Sequence, residues 1–319
     1  MDSLDLAIEN LTSPPVIAFA LGALAVVVRS DLRLPDPIHT WLATYLLLAI
    51  GIKGGHALRV ADPADLVWPA VATVAVGLLI PVVVFPVARR LLRLSVADAG
   101  SIAAHYGSVS VVTFTAALVF AREAGFAPEG YLATLVALLE IPGIVVALLL
   151  AVAAGQGTSL RAAVREVCTG RSVLLLVGGL VMGLVASDAA YARVEPFFVG
   201  LFTGLLVLFL LDLGATAAER LREHRSLTLP VVAFGIVTPL VLGLAGVAVG
   251  TVAGLSPGGA AVFGAMTASA SYIAAPAAVR VALPTADGAL SIGLALGVTF
   301  PFNLAVGIPV YLEVARALA

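Results

Sequence analysis

Ten apolar runs divide the chain, at roughly 14–28, 38–52, 66–88, 99–121, 130–154, 172–187, 196–214, 227–253, 258–280 and 288–316. Short breaks carrying Pro, Gly or charged residues separate them. The runs are continuous rather than alternating apolar and polar at period two, which favours helices over a membrane β-barrel. A straight spanning helix needs about 20 apolar residues. The first, second and sixth runs fall short of that, while others are long enough to tilt or to contain a break. The fourth run is the odd one: within "HYGSVSVVTFTAALVF", His105 to Phe120, the first half holds a histidine, a tyrosine, two serines and a threonine.

Composition turns the pattern into a class. Hydrophobic residues make up 61% of the 319 and charged residues 11%, with a mean hydropathy of +1.13, far from the roughly 25% charge of soluble domains. The expectation is an all-α integral membrane protein. The opening "MDSLDLAIENLTSPP" is acidic and lacks the basic region of a signal peptide, so the first apolar run is expected to stay in the chain. A single cysteine, Cys168, excludes an internal disulfide and any cysteine-based metal cluster, and the few scattered basic residues exclude nucleic-acid binding. Basic residues are unevenly shared between the two sets of loops. Arg29, Arg33, Arg89, Arg90, Arg93, Arg161, Arg165, Arg171, Arg220, Arg222, Arg225 and Arg280 fall on one side and five of the 17 Lys and Arg on the other. The basic side is read as cytoplasmic, which places both termini outside the cell's inner (plasma) membrane.

The chain also repeats itself. "GIKGGHALR" from Gly51 matches "GATAAERLR" from Gly214 at an offset of 163, "SVSVVTFTAA" from Ser108 matches "SASYIAAPAA" from Ser269 at 161, and "EIPG" at Glu140 shares a proline with "TFPF" at Thr299 at 159. Two halves, 1–157 and 158–319, with five helices each are expected to interleave into one unit. An odd number of spans per half forces opposite orientations, the five-plus-five inverted repeat of secondary transporters.

The hydroxyl-rich stretch is one of the repeated ones. A polar side chain in hydrocarbon must be paired or face a cavity, and Gly and Ser in mid-span let a helix break, exposing backbone N–H groups that hold an anion. Broken or crossing fourth and ninth helices, facing each other, would enclose a chamber made of Gly107, Ser108, Val109, Ser110, Thr113, Ser269, Ala270, Ser271 and Tyr272. Small residues at these positions equally suit close helix packing. For a coupling cation, Glu140 before Pro142 pairs a carboxylate with a carbonyl the proline leaves unbonded, while Ser110, Thr267, Thr299 and Asn303 offer neutral oxygens. Asp212 is expected to mark a helix end, and His39, His56 and His224 to lie at the interface; His105 is a packing residue or a proton relay. No P-loop appears. Moving an anion inward against 100 mV costs about 2.3 kcal/mol, which one co-transported sodium cancels. A hydrolase using Ser108 or Ser110 with His105 lacks a nucleophile elbow, and a passive channel lacks a filter or ring of charge.

"YGSVSVVTFTAAL", "LLEIPGIVVALLLA" and "TASASYIAAPAAVRVALPTADGALSIGLALGVTFPFNLAVGIPVY" resemble the sodium-dependent bicarbonate transporter family, the SbtA-like permeases. The resemblance runs over essentially the whole chain. It implies a ten-helix carrier, a homotrimer that moves a core against a gate subdomain, with bicarbonate and sodium held between the fourth and ninth spans and no other cofactor. Cyanobacterial members have a long inner loop and a small PII-like inhibitor. Here the central "GQGTSLRAAVREVCTGR" is short, which weakens the case for that partner. Tyr272 stands where those members suggest an aspartate, and Val111 and Val112 replace further small hydroxyl residues.

Overall fold

A computed structural model describes residues 3–157, 159–223 and 227–319; His224 and Arg225, assigned above to the interface and to a basic loop, lie outside the described residues. These residues form helices and no strand. In chain order they are α1 (Ser3–Thr12), α2 (Pro14–Val27), α3 (Asp36–Val60), α4 (Pro63–Arg90), α5 (Val96–Gly107), α6 (Val111–Glu123), α7 (Leu132–Glu140), α8 (Pro142–Ala153), α9 (Leu160–Thr169), α10 (Arg171–Val185), α11 (Asp188–Glu195), α12 (Phe202–Glu223), α13 (Leu229–Val252), α14 (Pro257–Thr267), α15 (Ala275–Ala282), α16 (Gly288–Leu294), α17 (Phe300–Phe302) and α18 (Ile308–Leu318).

Every apolar run carries helix, yet fewer than ten helices qualify as spans by length and apolarity. Seven do: Asp36–Val60, Pro63–Arg90, Val96–Glu123, Leu132–Ala153, Asp188–Arg222, Leu229–Val252 and Gly288–Leu318. An eighth appears if α9 and α10, bent by 46°, count as one. The shortfall has physical causes. Pro14–Val27 has 14 residues, about 21 Å of rise against a hydrocarbon core near 30 Å. The ninth run divides at Ala268–Ala274 into pieces of 11 and 8 residues. The short central loop folds into α9, with Ala163 and Val167 on its buried side.

The hydroxyl-rich span is the most enclosed: the apolar window of Val96–Glu123 is wholly buried, whereas that of Pro63–Arg90 is 28% buried. Two serines explain why the two broken spans look alike. Ser95 caps α5 by accepting the Asp98 N–H (3.0 Å) and Ser256 caps α14 by accepting the Gly259 N–H (3.1 Å), satisfying first-turn donors that nothing else in the helix can reach. Each short helix then runs into an extended S-x-S turn, Ser108–Ser110 in one case and Ser269–Ser271 in the other. The two caps are separated by the same 161 residues as the two turns. Two apolar cores meet there, one containing Val109 and Val111 and the other Tyr106 and Ala270, and Tyr272 packs on both.

Candidate functional site at the two S-x-S turns

The helix breaks expected at the repeated serines are present, and they touch. Ser110 N–H donates to Ser269 Oγ (2.8 Å), and Ser271 N–H donates to the His105 carbonyl (2.7 Å). The second turn thus satisfies two backbone groups that the first break released, the Ser110 N–H and the His105 carbonyl. Ser110 Oγ also caps α6 through the Thr113 N–H (3.2 Å), which fixes the buried Thr113 in the first turn; Ser269 Oγ donates to Met266 O (2.7 Å) and Ser271 Oγ accepts the Ala274 N–H (3.3 Å). Ala270 is buried beside them.

Gly107 and Gly143 allow a third element to join. A Cβ on Gly107 would meet the Gly143 carbonyl carbon at 2.9 Å, and one on Gly143 would run into the Gly107 carbonyl. The backbones of α5 and α8 therefore cross without side chains between them. That contact brings Glu140, at the end of α7, up to the first turn. Its carboxyl faces the Ser108 hydroxyl and the Val109 N–H, yet Glu140 Oε2 and Ser108 Oγ are buried with no bond of proper geometry. Tyr272 Oη approaches the Ser110 side chain in the same loose manner. Glu140 is 2% exposed, and no cation pairs with it among the described residues. A cavity of about 10 Å³ lies among Ser110, Glu140, Ser172, Ser271 and Tyr272, room for one water-sized particle.

The remaining sequence candidates sit elsewhere. Thr267 donates to Leu242 O (3.0 Å) and Gly264 O (2.9 Å). Thr299 donates to Gly235 O (2.9 Å), the carbonyl four residues before Pro239, which has no N–H to offer it; its hydroxyl also meets Tyr106 Oη at 2.5 Å. Asn303 donates to Ala268 O (2.9 Å), a carbonyl at the ninth-run break, and accepts from Tyr311 Oη (3.0 Å). Of the five oxygen donors, only Glu140 and Ser110 line the small cavity.

A cleft of about 790 Å³ opens beside the turns, lined among others by His39, His105, Arg220, Tyr272 and Arg280. His105 Nδ1 donates to Ser101 O (2.7 Å), a carbonyl that can only accept, so the unpartnered Nε2 is the ring's other face. Asp212 is a correction: it lies inside α12, buried, bonded to His39 Nδ1 at 2.5 Å, not at a helix end. The cleft's arginines, Ser172 and the Tyr106–Thr299 bond escaped the sequence, because each depends on which helices become neighbours.

Family comparison decides the class. The Na+-dependent bicarbonate transporter superfamily matches residues 14–316. The chain belongs to that superfamily. No curated protein matches it. Membership in a transporter family, with several membrane-spanning helices, makes this a multi-pass membrane carrier rather than an enzyme.

Proposed function

We propose that the protein is a sodium-coupled symporter of a small anion, bicarbonate, working by alternating access in the plasma membrane. The observation that carries this reading is the pair of hydrogen bonds joining the S-x-S turns above an unpaired, buried Glu140. Sodium sits in the small cavity against Glu140 and Ser110, where a hard cation gives the carboxylate the partner it lacks. Bicarbonate sits against the turns at the start of α6. First-turn N–H groups of a helix have no partner inside it; Ser110 Oγ meets that of Thr113 and those of Val111 and Val112 are left for the anion.

The same reading includes ten spans in two inverted halves, and the helix pairings support it. α10 packs on α3 and α12 on α2, pairs that exchange when the halves are exchanged, as do α4 on α5 and α8 against α13 on α14 and α18. The repeat-matched Gly51 and Gly214 each sit at one of the crossings, against α10 and α2. The gate is then α2, α3, α10 and α12, and the remaining long helices form the core; three copies assemble as in the relatives the chain resembles. Arg220 and Arg280 at the cleft, with Arg29, Arg33, Arg220 and Arg222 around a neighbouring hollow of about 700 Å³, mark the cytoplasmic end, so the cleft opens inward. One sodium offsets the membrane-potential cost of the anion, and a tenfold sodium gradient adds roughly 1.4 kcal/mol, enough for about tenfold accumulation.

Labelled bicarbonate uptake into proteoliposomes tests this. Accumulation should follow an inward sodium gradient and collapse when choline replaces sodium. Uptake at equal rate in both would overturn the coupling.

A further inference from the structure

Lys53 sits well inside α3, half-buried. Arg122 lies one residue before the end of α6. Both line one cavity of about 20 Å³, together with Ile50, Gly54, Phe114 and Leu118. Neither makes an ion pair or hydrogen bond among the described residues, and no carboxylate lines the cavity. The acid whose charge bears on Lys53 is Glu195 of α11, which forms no ion pair with it among the described residues.

This cavity is at the far end of the path from the open cleft. Along α3, His39 lines the cleft and Lys53 follows fourteen residues later, about 21 Å of helix rise. α15 leaves the S-x-S turns along the cleft, lining it with Pro276, Val279 and Arg280; α6 leaves them toward Phe114, Leu118 and Arg122. Lys53 is half-buried and Arg122 reaches the surface; two cations carried by different helices and facing one space repel each other, and no acid lines that space to offset them. An anion at the mouth of that space, beside both groups, removes the repulsion. A guanidinium offers a planar fork to an oxyanion and an ammonium a compact charge.

We propose that Lys53 and Arg122 form an anion-binding vestibule on the face opposite the open cleft, taking a small oxyanion before it reaches the turns. This rests on the transport reading above, with bicarbonate as the oxyanion and that face as the extracellular one. The site bridges α3, packed on α10, and α6, packed on α14, so an anion there draws the two bodies together and sets external affinity.

The test is bicarbonate influx into intact cells expressing the full chain, paired with influx into inside-out vesicles, which reads affinity at the other face. Lys53→Met and Arg122→Met should each raise the external KM about tenfold, the scale of a lost hydrogen bond to a charged group, with maximal rate and the KM of inside-out vesicles nearly unchanged. Lys53→Arg should restore most of the external affinity, and the thermal unfolding profile should show all variants folded. An unchanged external KM in the Lys53→Met/Arg122→Met double variant overturns the vestibule, and so does an equal rise at both faces. Absence of sodium-dependent influx in the unmodified protein overturns the transport reading, and the vestibule with it.

Discussion

Glu140 and Thr299 occupy matching places in the two halves, two residues before Pro142 and Pro301, and their surroundings differ completely. Thr299 spends its hydroxyl on a carbonyl that Pro239 orphaned and on Tyr106, and Asn303 nearby spends its amide on Ala268 and Tyr311. Glu140 and the Ser108 hydroxyl are as deeply buried and leave hydrogen-bonding atoms unspent. A polar residue in a span either repairs the backbone or waits for a ligand, and the account of its bonds tells the two apart.

Four substitutions press on that difference, from the largest expected effect down. Glu140→Gln should abolish sodium stimulation of bicarbonate uptake while the protein still purifies folded; stimulation within the wild-type range would move the cation elsewhere. Asn303→Ala strips a buried carbonyl of its side-chain partner and leaves the Tyr311 hydroxyl only Pro239 O, so it should cost about 1–3 kcal/mol of stability, read as a drop in unfolding temperature in detergent, with sodium affinity of the surviving folded protein close to wild type. Ser108→Ala should weaken bicarbonate affinity by about 1–2 kcal/mol, roughly tenfold in KM, with no loss of stability because that hydroxyl closes no bond of its own. Thr299→Val, nearly isosteric, should lower stability by about 1–2 kcal/mol through the Gly235 carbonyl and leave both transport constants alone; a raised sodium constant there would place Thr299 among the ligands.

How far the sequence shows this division follows from which interactions are local. The break at Ser108–Ser110 is legible because glycine, serines and hydroxyls crowd one apolar run, and its twin at Ser269–Ser271 because the repeat displays it again. Glu140 stands out as a carboxylate in a span. That Thr299 mends α13 is not legible, because Pro239 lies 60 residues earlier and nothing local says that the last span packs on it. Asp212 misleads for the same reason: its partner His39 belongs to the other half of the chain. Helix number is blurred where breaks and short lengths decide it, as in Pro14–Val27 and at Ala268–Ala274.

Equilibrium binding of radioactive sodium to the purified protein, with bicarbonate present, tests most directly whether the cation belongs to Glu140. Saturable binding should vanish in Glu140→Gln and persist in Thr299→Val, and in the unmodified protein it should weaken as the pH falls, since protons compete for the same carboxylate. Full binding in Glu140→Gln together with its loss in Thr299→Val would contradict the assignment and give the site to the second half of the chain.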